Sequence, residues 1–291
     1  MEHLLQNCPY QIFNIQNVIW NEKIGEGVHS NVYQGQLNNK IYAFKEYSFD
    51  FPIDYDNLLY ELNLLKKLNH CKYCIYIYGI CHTQENIYLI MDLGTDLSSY
   101  IENKKFRSHY SRGKPINNYI QYNYKKDIHW CYIMPEKEKV KYTKMLIESV
   151  DELHNQEIIH SDIKLENIII HNKIIKLIDF GVSYMMNGKK CILINTTYGT
   201  EGYMAPEQYK GLLTYKTDIY SLGVSLIELW VGNLWEDSEG FRPCRNEVLK
   251  SLRKIEKNNI NFSKILRKCI SLDEKKRYTS KNLLNKINQI F

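Results

Sequence analysis

The chain has 291 residues, 44% of them hydrophobic and 24% charged, with a formal net charge of +5. That length suits one large domain or two lobes around a buried core, and the balance excludes wholesale disorder. A charge of +5 favours acidic partners only where the cations cluster. The eight cysteines follow no framework spacing, which suits free thiols in a reducing cytoplasm or nucleus. No basic region followed by a continuous apolar stretch opens the sequence, and the apolar run at 222–231 is interrupted by Ser225 and Glu228. Neither a signal peptide nor a membrane span is expected, and an intracellular location, cytoplasmic or nuclear, is. Heavy use of Ile, Asn, Lys and Tyr (24 tyrosines) reflects an A/T-rich genome more than any chemistry.

Residues 1–17 read as an N-terminal extension. Strands are expected at 18–24, 31–33 and 41–45, the first two joined through Gly25-Glu26-Gly27-Val28-His29-Ser30. Glycines between paired strands let the backbone approach a phosphate closely, although a plain hairpin turn has the same pattern. Lys45, on the third strand after the small Ala43, favours the phosphate reading. No helix follows the loop and no Gly-Lys-Ser/Thr is present, so it is not a Walker loop. Leu58, Leu59, Leu62, Leu65 and Leu68 recur at three- and four-residue spacing and predict a helix over 56–69. Glu61 lies beside that stripe; alone, such a residue is an ordinary solvated glutamate.

His70, Cys71, Cys74, Cys81 and His82 have a zinc-like spacing. Residues 74–79 read as a strand ending at Cys81, however, so small core thiols account for them more simply. Another apolar strand, 87–91, runs into Asp92-Leu93-Gly94. Helices are expected at 96–103 and 139–154, with a long insertion, 103–137, between them. Its 104–126 stretch interleaves Lys104, Lys105, Arg107, Arg112 and Lys114 with tyrosines and holds no acid. A mobile surface loop is the simpler reading; contact with nucleic acid or an acidic protein is the sharper one.

The chemistry concentrates in His160-Ser161-Asp162-Ile163-Lys164-Leu165-Glu166-Asn167, followed by a strand-turn and Asp179-Phe180-Gly181. Phosphoryl transfer needs this set: a carboxylate for a hydroxyl proton, a cation for the moving phosphate, and oxygen ligands for magnesium. An apolar helix opened by Asp218 runs to Trp230, and helices at 246–257, 262–269 and 280–290 close the chain.

In order and spacing these motifs resemble the eukaryotic protein kinase superfamily, serine/threonine type, over residues 18–291 apart from the insertion. The resemblance implies an α+β, bilobal protein kinase fold. Its N-lobe (18–91) would be a small antiparallel β-sheet with one main helix, joined by a hinge (92–95) to a larger, mainly α-helical C-lobe (96–291). It implies catalytic roles for Asp162, Lys164 and Lys45, with Glu61 holding Lys45 against the phosphates. Asn167 and Asp179 would hold Mg2+, with Mn2+ as the alternative ion. ATP would lie against Ile24, Gly25, Glu26, Gly27, Val28, His29, Ser30, Asn31, Val32, Ala43 and Ile169. The backbone of Asp92 and Gly94 would read adenine, and Met91 would limit the pocket behind it.

Thr200, in Gly199-Thr200-Glu201-Gly202-Tyr203, would dock the substrate, with Glu166 and Glu228 near the peptide groove. Glu207 would pair with Arg277, and Asp218 would brace the catalytic loop. Leu65, Ile77, His160 and Phe180 would stack between the lobes, which makes His160 structural. The sequence departs from the family pattern at Ser30, in place of the third glycine, and at Ser161, in place of an arginine that receives an activation-segment phosphate. Activity is therefore expected not to depend strongly on phosphorylation of Thr196 or Thr197. The implied function is transfer of the γ-phosphate of Mg-ATP to protein Ser/Thr hydroxyls. A pseudokinase-like nucleotide-binding scaffold is the alternative, and the peptide-docking segment disfavours a small-molecule kinase.

Overall fold

Antiparallel pairing of successive strands organises the first part of the chain. The computed structural model describes residues 1–26, 30–48, 55–101, 134–232 and 244–291; the glycine-loop tip and almost all of the basic insertion lie outside them. Strands β1 (Ile19–Glu26), β2 (Ser30–Leu37), β3 (Lys40–Ser48), β4 (Ile77–His82) and β5 (Asn86–Met91) form an antiparallel sheet ordered β1-β2-β3-β5-β4. On β3, Phe44 packs with Val18, Leu37, Cys81 and Tyr88 on one face, while Ala43 joins the main core on the other. Lys45 and Tyr47 therefore share the inner face with Ala43.

The expected helix appears as α2 (Tyr55–Leu68), with Leu58, Glu61, Leu62, Leu65 and Leu68 on its buried side. Each such leucine contributes about 1.5–3 kcal/mol relative to exposure. Residues 1–17 are more than an extension. A short helix, α1 (Glu2–Asn7), buries Leu4 in the same core, and the following segment pairs with β4: Phe13 N–H donates to Ile80 O (2.8 Å) and Ile80 N–H to Gln11 O (2.9 Å).

The sheet departs from expectation at β4, which begins at Ile77 and not at Cys74. The backbone of 73–75 is bonded elsewhere: Ile75 N–H donates to Leu177 O (3.0 Å) and Leu177 N–H to Tyr73 O (2.7 Å). Those bonds tie the loop after α2 to the second lobe.

That lobe is built on α3 (Glu136–Asn155), α4 (Tyr215–Val231), α5 (Arg245–Asn258), α6 (Ile260–Cys269) and α7 (Ser280–Asn288). Thr214 caps α4 reciprocally with Thr217, and the helix is buried on nearly every side, as its unbroken apolar character requires. At Gly223 an added Cβ would lie 2.8 Å from Cys269 Cβ, so only glycine permits this approach of α4 to the end of α6. Short strands line the junction between lobes: β6 (Thr95–Asp96), β7 (Ile158–Ile159), β8 (Ile168–His171), β9 (Ile174–Leu177) and β10 (Tyr184–Met185). The order of β6-β8-β9 brings the segment after β5 beside the strand that follows the catalytic loop. Further along, β11 (Ile192–Leu193) pairs with β12 (Leu212–Leu213). This is the bilobal α+β architecture that the resemblance implied. Among the described residues, no helix is long and apolar enough to cross a membrane.

Candidate active site

The loop between β7 and β8 is held from below by Asp218, the fully buried acid of α4. Its two oxygens accept the His160 and Ser161 N–H groups, both at 2.9 Å, and Oδ2 lies 3.0 Å from His154 Nε2. Charge-assisted bonds of this kind can hold a strained backbone. Ser161 needs it, because its φ of +69° is a left-handed conformation that costs a non-glycine residue about 1–2 kcal/mol. The His160 ring is buried, packs 5.0 Å from the Phe180 ring and has Nε2 3.0 Å from Ile178 O. Leu65 and Ile77 are buried in the same core, so the four stacking residues are interior and His160 faces no solvent.

The loop then presents its polar groups together. Asp162 Oδ2 accepts from Asn167 Nδ2 (2.9 Å), and Oδ1 accepts from the Thr200 N–H (2.8 Å). Lys164 Nζ donates to Thr200 Oγ1 (2.8 Å) and stands 3.7 Å from Asp162 Oδ2. Asn167 Nδ2 also donates to Asp162 O (2.9 Å), which fixes the amide and leaves Oδ1 as the oxygen turned elsewhere. Asp179, at φ +63° with its side chain 49% exposed, supplies a carboxylate a short way along the chain. An amide oxygen and an open carboxylate are the hard donors a magnesium ion takes, so these residues fit the ion.

Opposite the loop, Lys45 Nζ lies 2.8 Å from Asp179 Oδ1 and 3.8 Å from Glu61 Oε1. Burial by itself would lower the Lys45 pKa; Asp179, Tyr47 and Glu61 outweigh it and hold the ammonium well above its usual range. The Lys45 charge keeps Asp179 below the ordinary aspartate range, and burial pushes Glu61 up. Tyr47 escaped the sequence reading. Its hydroxyl donates to both Glu61 oxygens (3.2 and 3.1 Å), and its ring lies 5.0 Å from Lys45 Nζ. The available signal was position: two residues after Lys45 on one strand means the same face.

Between sheet and loop, Ala43, Met91 and Ile169 are buried, Val32 is half-buried and Ile24 is exposed. Gly94 lets the connecting segment approach β8, since a Cβ there would meet Ile170 O at 2.7 Å. Several residues assigned to nucleotide binding have side chains engaged elsewhere. The Asp92 carboxylate accepts from Tyr78 OH (2.9 Å) and Tyr76 N–H (3.2 Å) and lies 3.3 Å from Lys176 Nζ. Asn31 Nδ2 donates to Glu46 (2.8 Å), and Glu26 pairs with Lys23 (2.8 Å). That leaves their backbone groups as the ones open to a nucleotide. Gly25 pairs with Val32 across the hairpin and Ser30 with Tyr47, whereas Gly27, Val28 and His29 lie outside the described residues.

The activation segment ends at a buried ion pair. Arg277 Nη2 donates to Glu207 Oε2 (2.8 Å), with Nη1 on Oε1, as the resemblance implied. Gln208, which the sequence reading passed over, is buried beside it. Its Nε2 donates to Ser161 O (2.8 Å) and to Tyr198 O (2.7 Å), clamping the segment to the catalytic loop. Thr196 and Thr197 are exposed. Glu166 is exposed at the loop's edge, but Glu228 is buried and accepts from Tyr203 OH at 2.6 Å, so it braces the docking segment from within. The zinc-like set converges only in part, with Cys71 Sγ 3.7 Å from His70 Nε2. Cys81 packs with Phe44 and Tyr88, apart from the others; Cys71 and Cys74 group with Glu152, whose oxygens already accept the Lys72 and Tyr73 N–H groups (3.0 and 2.9 Å). The insertion 104–126 lies outside the described residues.

Comparison with known proteins agrees with this geometry. The chain is 26% identical over 223 residues to serine/threonine-protein kinase PrkC of Bacillus subtilis, covering 74% of this chain and 30% of that protein. It is 27% identical over 276 residues to probable serine/threonine-protein kinase 2 of Plasmodium falciparum, covering 90% and 46% respectively. To human mitogen-activated protein kinase kinase kinase 19 it is 29% identical over 241 residues, covering 74% and 15%. In each case the match spans less than half of the relative's length. Residues 19–287 match the protein kinase domain family, and the chain belongs to it.

Proposed function

We propose that the chain is an active protein kinase that transfers the γ-phosphate of Mg-ATP to serine or threonine hydroxyls of proteins. The observation that carries the reading is the meeting of Asp162, Lys164, Asn167 and Thr200 in one hydrogen-bonded set, across from the Lys45–Asp179 pair. Asp162, oriented by Asn167 and the Thr200 N–H, is placed to accept the acceptor hydroxyl's proton as its oxygen bonds to the γ-phosphorus and the bond to the departing ADP breaks. A loose transition state asks positioning of this carboxylate more than basicity. Lys164 steadies the transferred phosphoryl group, and Lys45, kept in place by Glu61 and Tyr47, holds the α- and β-phosphates. Magnesium, when bound by Asn167 and Asp179, neutralises phosphate charge. The Asp92 carbonyl and the Gly94 N–H are the hinge groups assigned to adenine, between the apolar faces of Ala43, Val32 and Ile169.

The Gln208 clamp supports a segment positioned without a phosphate on Thr196 or Thr197, since it supplies a link between segment and loop where Ser161 lacks a cation. We place the activity inside the cell, on protein substrates. The test is transfer of labelled phosphate from Mg-ATP to generic basic protein substrates, beside a nucleotide thermal-shift measurement. Transfer by the native chain and none by Asp162→Asn, with both shifted alike by nucleotide, is the expected result. Nucleotide binding without transfer by the native chain would instead establish the scaffold reading.

A further inference from the structure

Away from the phosphate-transfer groups, three elements of the second lobe turn their cations toward one cavity of about 890 Å³. On α6, Lys264, Arg267 and Lys268 stand at three- and four-residue spacing and so share a face. The turn before α7 adds Lys275 and Lys276, and α7 adds Lys286 alongside Asn282 and Asn285. No carboxylate lines the cavity. Like charges brought together this way repel, and a fold keeps them together most readily where an anion offsets them.

The acids in the neighbourhood are already committed or peripheral. Glu207 is taken by Arg277, Glu256 pairs with Arg267 (3.1 Å), and Asp273 reaches Lys276 only at 4.0 Å. Glu274 accepts from Thr214 (3.4 Å). Among the described residues, Lys264, Lys268 and Lys275 make no ion pair; Lys268 lies over the Tyr278 ring at 4.6 Å. At the cavity wall Lys216 is half-buried and donates to a backbone carbonyl, Arg277 O, at 2.7 Å. Burial first, and the Arg277 charge second, lower its pKa, as for a cation with too little negative charge near it.

We propose that this cavity binds a compact polyanion carrying several phosphate groups, of the chemical class of the inositol polyphosphates, free or as a lipid headgroup. The volume falls in the range of small-molecule sites, about 300–1,000 Å³. A single phosphate would engage too few of the cations, which sit on three separate elements. Several phosphates on one small ring match them, with Asn282, Asn285 and Thr279 offering neutral donors. The inference is independent of the catalytic reading, because it rests on none of the phosphate-transfer groups. Its physical consequence is local: Lys216 and Arg277 belong both to the cavity wall and to the anchor of the activation segment, so occupancy stiffens that anchor.

The experiment titrates inositol hexakisphosphate into the full chain by calorimetry at about 0.15 M salt, with saturating non-hydrolysable ATP analogue present to block the nucleotide cleft. Saturable binding and a raised Tm are expected. Lys268→Gln/Lys275→Gln/Lys286→Gln should weaken binding by roughly tenfold or more and leave basal phosphate transfer unchanged. The charge-reversed triple to Glu should abolish binding, and circular dichroism checks that both variants fold; Lys264→Gln alone gives a milder, independent reading. A parallel arm uses phosphatidylcholine vesicles with and without phosphatidylinositol bisphosphate. Cosedimentation that the free polyphosphate competes away assigns the lipid source, and binding in the soluble arm alone assigns the free one. Absence of saturable binding in both arms, or binding untouched by the substitutions, overturns the proposal.

Discussion

Lys45 shows how much one side chain's chemistry depends on its neighbours. Its raised pKa means that its stabilising contribution is fully present below the ordinary lysine range and is lost only as pH rises beyond its own elevated value. Asp179, depressed chiefly by Lys45, has the opposite sign: its contribution is present above the ordinary aspartate range and lost as pH falls through its lowered pKa. The Tm difference between the native chain and Asp179→Asn should therefore stay level from about pH 5 to pH 8 and shrink below about pH 4, read by thermal melts across that series. Tyr47→Phe removes one O–H that is shared between both oxygens of a buried carboxylate, a bond of a kind worth about 1.5–3 kcal/mol. Steady-state kinetics should show a rise in KM for ATP and a lower kcat, with Tm falling modestly. Gln208→Leu breaks the clamp on Ser161 O and Tyr198 O; kcat should drop by about tenfold with KM for ATP unchanged, because Lys45 and the hinge are untouched. Thr196→Ala/Thr197→Ala should keep turnover within a few-fold of native; loss of turnover in a folded double variant would sink the phosphate-independent reading.

At the scale of elements, each functional group sits on a piece whose stability comes from apolar packing. Glu61 is held where it is because α2 buries Leu58, Leu62 and Leu65 against the sheet and α1. Leu62→Ala should cost about 2–5 kcal/mol in chemical denaturation and lower activity with it, since the cavity loosens the helix that carries Glu61. The Glu207–Arg277 pair anchors the activation segment to the turn before α7. Arg277→Ala leaves a carboxylate without its partner and should destabilise by about 3–5 kcal/mol, with the loss visible as a lower denaturant midpoint. Elements were legible to differing degrees. Five of the six leucines of α2 repeat with helical period, and the structure differs from that reading by a residue at each end. β4 was misplaced because residues 73–77 carry a continuous apolar signal, and only the pairing of 73–75 with Leu177 shows that its first part belongs to another partner.

For the molecule as a whole, local pattern and ordered motifs foretold two lobes, the central apolar α4 and the loop that carries Asp162. These follow from the sequence because periodicity, glycine placement and the spacing of charged residues act over a few neighbours or along one loop. The tertiary structure decided the rest, because it depends on residues far apart in the chain meeting in space. Residues 1–17, with little local signal, became part of the N-lobe core through Leu4 and the pairing at Ile80. Gln208 gained its role from two carbonyls, 10 and 47 residues away, and Glu228 lost its groove position to a buried bond with Tyr203. The cations facing one cavity come from three elements, with Lys216 of α4 at the wall, and their charges look unremarkable one by one. Sequence determined which acids, cations and amides the site possesses; packing and long-range hydrogen bonds decided where each one points.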